Sequence, residues 1–213
     1  ENCIRLFATI LGLLSCLFKY IRVPRRSYLF LIIFFLCSFS SEYYWTIYTL
    51  VMHASPDVSE LLAYSGWNIG YVFLSLAVYQ MLHKEAMRYF HPVILLPVVT
   101  NLPQFLLYVQ FGGIINNLFQ VGMSTAVMVL CMKGIVYYLK NRKKGARVPY
   151  LSVLVFLFML TGYGMWTSSC FYWKSDFLNP YLYFAVLGAL IMPSFSWGAE
   201  KDYGAGSPDD TGT

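Results

Sequence analysis

The chain has 213 residues, of which 58% are hydrophobic and 12% are charged, and its net charge is +5. A soluble domain of this length cannot cover so much apolar surface with so few charges, so the composition excludes an ordinary soluble globular fold. It predicts a polytopic membrane protein.

Long apolar runs alternate with short charged loops along the chain. A helix needs about 20 apolar residues to cross the bilayer core, and helices satisfy their own backbone groups there. The runs also lack the polar alternation of β-barrel strands. We therefore predict an all-α transmembrane bundle over residues 1–196, with seven spans near 3–20, 28–52, 61–81, 92–111, 115–139, 150–170 and 180–196. A signal peptide is the alternative for the first span, and six spans would then remain.

The composition changes after the last predicted span. Glycines, Pro208 and the acidic pair Asp209 and Asp210 follow one another closely within residues 197–213. Such a segment is typical of a solvated linker rather than of another span. We predict a flexible cytoplasmic tail, which could lead into a further cytoplasmic domain.

Basic residues indicate the orientation of the predicted bundle. Eleven of the 15 Lys and Arg residues lie at or in the loops that follow the first, third and fifth spans. Basic loops stay in the cytoplasm, so the N-terminus is predicted outside and the C-terminus inside. Arg5, near the outer end of the first span, is the one discordant charge. The basic loops suit attraction to anionic lipid better than nucleic-acid binding.

Polar and aromatic side chains gather in the outer halves of the predicted spans, whereas the inner halves are almost purely apolar. Hydrocarbon penalises polar groups that lack partners, so this cluster predicts an outward-facing pocket for a small molecule. The candidate ligand-binding residues are Glu42, Trp45, Trp67, Asn68, Asn101, Gln104, Gln120 and Trp166. The alternative is an interfacial aromatic belt with ordinary interhelical hydrogen bonds, which explains the Tyr and Trp residues better than the deeper polar ones.

Glu42 is the only acid well inside a predicted span. An uncompensated charge at the centre of a helix costs about 2.5–3.5 kcal/mol, so Glu42 must be neutral, off-centre or bonded to a partner. It is either a ligand contact or protonatable switch, or a tie between helices. Pro97 and Pro103 predict that the fourth span bends or breaks between them, which frees carbonyls beside Asn101 and Gln104. Those carbonyls either coordinate a ligand or simply allow close packing.

The sequence contains no catalytic or metal-binding motif of the common kinds. The three histidines are isolated, and the five cysteines form no CxxC pair. We predict that the chain is not an enzyme and uses no cofactor or metal, unless a catalytic domain follows it. Gly66 and Gly70 match the GxxxG spacing of helix dimers, so a homodimer is left open. A bridge between Cys3 and Cys170 is left open as well.

Two resemblances bear on function. Residues 62–71 (LAYSGWNIGY) and 162–167 (GYGMWT) resemble the multi-span membrane regions that precede histidine-kinase or diguanylate-cyclase domains in bacterial signalling proteins. That resemblance implies a sensory module of the bacterial plasma membrane. The Pro103-Gln104 dipeptide within seven N-out, C-in spans is similar to the PQ-loop and SWEET transporter families, although no second copy of the dipeptide is present.

These observations together predict an integral membrane input module. It would recognise a small ligand or a membrane state through the outer pocket and couple that state to the cytoplasm. The first alternative is a small-solute transporter of the PQ-loop or SWEET type. The second is a structural or assembly membrane protein without catalysis.

Overall fold

A computed structural model of the protein describes residues 2–54, 56, 61–111 and 113–204, and its regular structure in these ranges is entirely helical. Nine α-helices are present in this part of the chain: α1 (Asn2–Arg22), α2 (Arg26–Met52), α3 (Leu61–Met81), α4 (Lys84–Arg88), α5 (Leu96–Val109), α6 (Ile114–Asn141), α7 (Tyr150–Ser169), α8 (Pro180–Ile191) and α9 (Phe195–Gly204). Short 3-10 turns precede α5 at Pro92–Leu95 and join α8 to α9 at Met192–Ser194.

Six helical stretches of the described chain are long and apolar enough to cross a membrane. They are Asn2–Arg22, Arg26–Met52, Pro92–Val109, Ile114–Lys144, Tyr150–Ser169 and Pro180–Gly204. The prediction of an all-helical bundle with several membrane-crossing helices is therefore confirmed. The third predicted span corresponds to α3, which has 21 residues but is not among these six. A total of seven spans stays a prediction.

The last span is longer than the sequence predicts. Pro193 lies at the start of the 3-10 turn, where a missing N–H costs little, and the chain continues as α9 to Gly204. Gly198 lets α9 approach α7 closely, because a Cβ atom there would lie 3.2 Å from the backbone nitrogen of Leu151. The tail predicted from Trp197 is therefore helical as far as Gly204. Residues 205–213 of that tail lie outside the described residues.

Six helices form a closed ring, and α5 packs outside it. Around the ring α1 contacts α2, α2 contacts α3, α3 contacts α6, α6 contacts α7 and α7 contacts α8. The ring closes where α8 and α9 return to α1. Helix α5 packs chiefly on α6. It continues through Pro103, and Pro97 occupies its first turn, so the helix is not broken between the two prolines.

The half of the bundle near the basic loops has a dense aromatic and aliphatic core. Phe34, Phe35 and Phe195 are completely or almost completely buried, and their ring centroids are 5.1–6.2 Å apart. Leu74 and Val155, which are also fully buried, belong to the same cluster. This core fills the space that α2, α3, α7 and α9 enclose.

The GxxxG face of α3 packs within the chain. A Cβ atom on Gly66 would lie 2.5 Å from the carbonyl oxygen of Cys37 on α2, and one on Gly70 would lie 3.6 Å from that of Phe34. Both glycines therefore let α2 and α3 approach closely. This face is not available to a second copy of the chain. The same structure shows Cys3 and Cys170 as free thiols.

Candidate functional site

Glu42 is buried on α2 and forms an ion pair with Arg5 of α1. Its Oε1 atom also accepts a hydrogen bond of 3.1 Å from the indole nitrogen of Trp67 on α3. The Arg5 guanidinium carbon lies 5.4 Å from the centroid of the Trp67 ring. The three residues thus tie α1, α2 and α3 together, and Glu42 has the partner that its position demands.

Sequence reasoning did not identify Arg5 as that partner. It treated Arg5 only as a charge that disagreed with the orientation. The useful signal was that Arg5 and Glu42 are the single base and the single acid in the predicted outer halves of two neighbouring spans. Two opposite charges at the same depth in hydrocarbon are expected to pair.

A cavity of about 40 Å³ lies beside the ion pair, with Arg5, Glu42, Trp67 and Trp166 among its lining residues. That volume holds about one or two water molecules, so it is too small for an organic ligand. The ion pair therefore acts as a tie between helices. Glu42 does not line the larger pocket described next.

A pocket of about 240 Å³ lies between α3, α6, the end of α5 and the end of α7. It is lined by Tyr64, Trp67, Tyr108, Phe111, Asn116, Asn117, Gln120, Trp166, Ser169 and Cys170. None of these lining residues is an Asp, Glu, Lys, Arg or His. The ionisable groups among them are the phenols and the thiol, which are weak acids. Three of the predicted ligand-binding residues, Trp67, Gln120 and Trp166, are brought together here.

Gln120 is the most unusual residue of this pocket. Its side chain is only 8% exposed, and neither its amide nitrogen nor its amide oxygen makes a hydrogen bond of standard geometry among the described residues, although the Tyr71 hydroxyl lies close to the amide. The buried hydroxyl of Tyr108, another lining residue, likewise makes no standard hydrogen bond in the described chain, although the Ser169 hydroxyl lies close to it. A buried polar group without a partner costs about 1–3 kcal/mol. The pocket therefore presents one donor and one acceptor from a single amide, with a hydroxyl nearby.

Asparagine side chains hold the polar wall of the pocket in place. Asn68 of α3 donates to the Oδ1 atom of Asn116 at 2.9 Å. Asn117 donates to the backbone carbonyl of Tyr108 at 3.2 Å and so joins α6 to the end of α5. Asn68, a predicted ligand contact, does not itself line the pocket. It positions a residue that does.

Asn101 and Gln104 lie elsewhere than the prediction put them. Asn101 donates to the hydroxyl of Thr125 on α6 at 2.7 Å. Gln104 donates to the carbonyl of Tyr163 and to the hydroxyl of Thr167 on α7, each at 3.1 Å. Both amides therefore attach α5 to the ring and do not line the pocket. This matches the alternative of ordinary interhelical hydrogen bonds, because α5 is rotated so that its polar face meets α6 and α7.

One carbonyl group near Pro103 is also used within the bundle. The hydroxyl of Tyr163 donates to the carbonyl of Thr100 at 3.2 Å. Trp45, the remaining predicted contact, packs against Tyr64 and Trp67 with ring centroids 5.8 and 5.6 Å apart. It lies outside the pocket and supports two of its walls.

Cys170 keeps the wall near the end of α7 uncharged. Burial raises the pKa of its thiol above the ordinary value, and a hydrogen bond with Ser169 opposes that shift only in part. The thiol is therefore protonated at neutral pH. Among the described residues, no group of three or more His, Cys, Asp or Glu side chains could hold a metal ion.

In comparisons with known proteins, no protein-family model, curated protein or solved structure matches this chain.

Proposed function

We propose that the chain is the sensory module of a multi-pass protein of the bacterial plasma membrane, with seven spans oriented N-out and C-in. It binds a small uncharged molecule in the pocket around Gln120 and transmits the occupancy of that pocket to the basic end of the bundle. The observation that carries this proposal is the buried Gln120 amide, which lines the pocket and whose nitrogen and oxygen make no hydrogen bond of standard geometry in the described chain.

The chemistry of the pocket suits an uncharged ligand. Aromatic side chains supply most of its walls, and the Gln120 amide supplies directional hydrogen bonds. A charged ligand would lose its hydration without gaining a counter-charge, which is costly in a buried site. The volume of about 240 Å³ lies below the roughly 300–1,000 Å³ of drug-sized sites, so the ligand is small.

A continuous set of contacts links the pocket to the opposite end of the molecule. Trp67 lines the pocket and donates to Glu42, which pairs with Arg5 at the beginning of α1. At the other end of α1, Ser15 and Ser196 share a hydrogen bond of 2.6 Å. Lys19 donates to Glu200 on α9 at 2.6 Å. A shift of Trp67 can therefore bias the position of α9, by as much as the ligand prefers one arrangement.

The closed core supports binding over transport. Phe34, Phe35 and Phe195 fill the bundle between the level of the ion pair and the basic loops. A transporter of the PQ-loop or SWEET type needs a path through this half of the molecule in at least one state.

The test uses the full chain in nanodiscs. Small uncharged solutes (sugars, nucleobases and N-acetyl amino-acid amides) and their charged analogues are compared by the shift in melting temperature that each produces. We expect uncharged members of the panel to stabilise the wild type and to lose that effect in Gln120→Leu. Gln110→Leu is the matched control, because Gln110 is exposed and does not line the pocket.

Two further outcomes discriminate between the candidate functions. A stabilising solute should also change hydrogen exchange in α9 without accumulating in proteoliposomes. Accumulation that depends on Gln120 would make the protein a transporter. Stabilisation by charged analogues alone would refute the uncharged ligand.

A further inference from the structure

A second site lies at the basic end of the molecule, independent of the pocket around Gln120. The end of α1, the start of α2 and the end of α9 enclose a groove of about 310 Å³. Lys19, Arg22 and Arg25 line it, and Glu200 is the one carboxylate among its lining residues. Because Lys19 donates to Glu200 at 2.6 Å, the local balance of charge in the groove is positive.

Aromatic rings hold both arginines of the groove. The Arg22 guanidinium carbon lies 4.0 Å from the centroid of Phe18, and that of Arg25 lies 4.0 Å from the centroid of Tyr203. A stacked guanidinium uses its face against the ring, while its N–H donors lie along its edge. Stacking is therefore compatible with pairing to a phosphate, and it restricts the side chain before the phosphate arrives.

An apolar stripe on α1 leads directly to this groove. Phe7, Leu14, Phe18 and Ile21 are 63%, 56%, 56% and 73% exposed, respectively. Their spacing of three, four and seven residues places them on neighbouring positions of one helix face. The face is long enough to accompany an acyl chain through one leaflet, and it ends beside Arg22.

We propose that this groove binds the phosphate headgroup of an anionic phospholipid, whose acyl chains lie along the exposed stripe of α1. The stripe is the reason for choosing a lipid over free phosphate, because a soluble anion gains nothing from an adjoining apolar face. Basic pockets between membrane helices are a known form of lipid recognition. The bound lipid would join α1, α2 and α9, since Tyr203 and Glu200 also line the groove.

The experiment measures lipid preference on the intact chain. The protein is reconstituted in nanodiscs of phosphatidylcholine with a minor fraction of phosphatidylglycerol, and the lipids that remain bound are identified by native mass spectrometry. The test variant is Arg22→Gln/Arg25→Gln. The matched control, Lys140→Gln/Lys143→Gln, removes the same charge from exposed positions in the last turn of α6 and just after it, which do not line the groove.

We expect the wild type and the control to retain phosphatidylglycerol in preference to phosphatidylcholine. In the test variant, the preference for phosphatidylglycerol over phosphatidylcholine should fall roughly fivefold for each arginine removed, or about 25-fold in total. An unchanged preference in the test variant, or an equal loss in the control, would overturn the site. Displacement of phosphatidylglycerol by inorganic phosphate at millimolar concentration would show an anion site without lipid selectivity.

A second variant covers failure of the first to fold. Arg22→Lys/Arg25→Lys keeps both charges, and its circular dichroism should match that of the wild type. It is expected to lose part of the preference, because an ammonium group cannot pair with a phosphate in the bidentate manner of a guanidinium. Full retention of the preference in this variant would contradict the role assigned to the two arginines.

Discussion

The two ends of the bundle hold their buried polar groups differently. Beside the pocket, the Gln120 amide and the Tyr108 hydroxyl are buried without a hydrogen bond of standard geometry in the described chain. Toward the basic end, Lys19 meets Glu200, and Asp202 accepts hydrogen bonds from the backbone N–H groups of Tyr150 and Leu151 at 2.8 and 3.0 Å. Under the proposed function, the pocket end gives up some stability for a site that a ligand can complete.

The ion pair at the pocket end offers the strongest way to test this comparison. Arg5→Met leaves Glu42 buried and uncompensated, since the two side chains are only 15% and 5% exposed. We expect a loss of about 3–5 kcal/mol in the free energy of unfolding, measured by titration with dodecyl sulfate in mixed micelles. The double variant Arg5→Met/Glu42→Leu should recover most of it. A loss below about 1 kcal/mol would mean that water screens the pair.

The contact between α2 and α3 gives the next largest effect. Gly66→Ala places a Cβ atom against the Cys37 carbonyl and the Ser41 hydroxyl, so α2 and α3 must separate. We expect a loss of about 1–3 kcal/mol in the same unfolding titration. Gly122→Ala is the control, because nothing lies within 4 Å of a Cβ atom there, and it should gain about 0.5–1 kcal/mol. Equal effects of the two substitutions would refute the close packing.

Two glutamines of similar burial sharpen the comparison directly. Gln104 is 2% exposed and bonded to α7, whereas Gln120 is 8% exposed and makes no hydrogen bond of standard geometry in the described chain. Gln104→Leu should cost about 1 kcal/mol of unfolding free energy, and Gln120→Leu should gain up to about 1 kcal/mol. If both substitutions destabilise the protein equally, the Gln120 amide is satisfied by the bundle and the pocket loses its main feature.

Cys170 provides the smallest of these effects. Because burial raises the pKa of its thiol, less of it is thiolate near pH 8 than in the unfolded chain. N-ethylmaleimide should therefore label residue 170 more slowly in the folded protein than in dodecyl sulfate, as followed by peptide mass spectrometry. The difference should narrow as the pH rises through the folded-state pKa. Equal rates at pH 8 would place the thiol in open water.

The depth of a residue along its helix could be predicted from the sequence, whereas its direction around the helix could not. Gln120 and Asn101 were both predicted in outer halves, yet one lines the pocket and the other attaches α5 to α6. Asn101 contacts α6 because α5 lies outside the ring. The residues that flank Asn101 in the sequence do not encode this position of α5. The partner of Glu42 was missed for a related reason, because pairing joins separate helices.

The extent of the last helix was missed because its composition is ambiguous. Glycine at residue 198 is a typical sign of a linker when it is considered alone. In the structure it is the small residue that lets α9 lie against α7. Only the presence of α7 makes the difference, and local sequence contains no information about that neighbour.

The closure of the ring by the first and last helices has a consequence for synthesis in the cell. Arg5 finds Glu42 as soon as α2 has been made, so this pair can protect both charges early in insertion. Ser15 and Lys19, by contrast, must wait for Ser196 and Glu200, near the end of the described chain. Helix α1 therefore keeps one exposed flank during most of translation. Ribosome-bound intermediates are expected to remain accessible to membrane chaperones along that flank until α9 emerges.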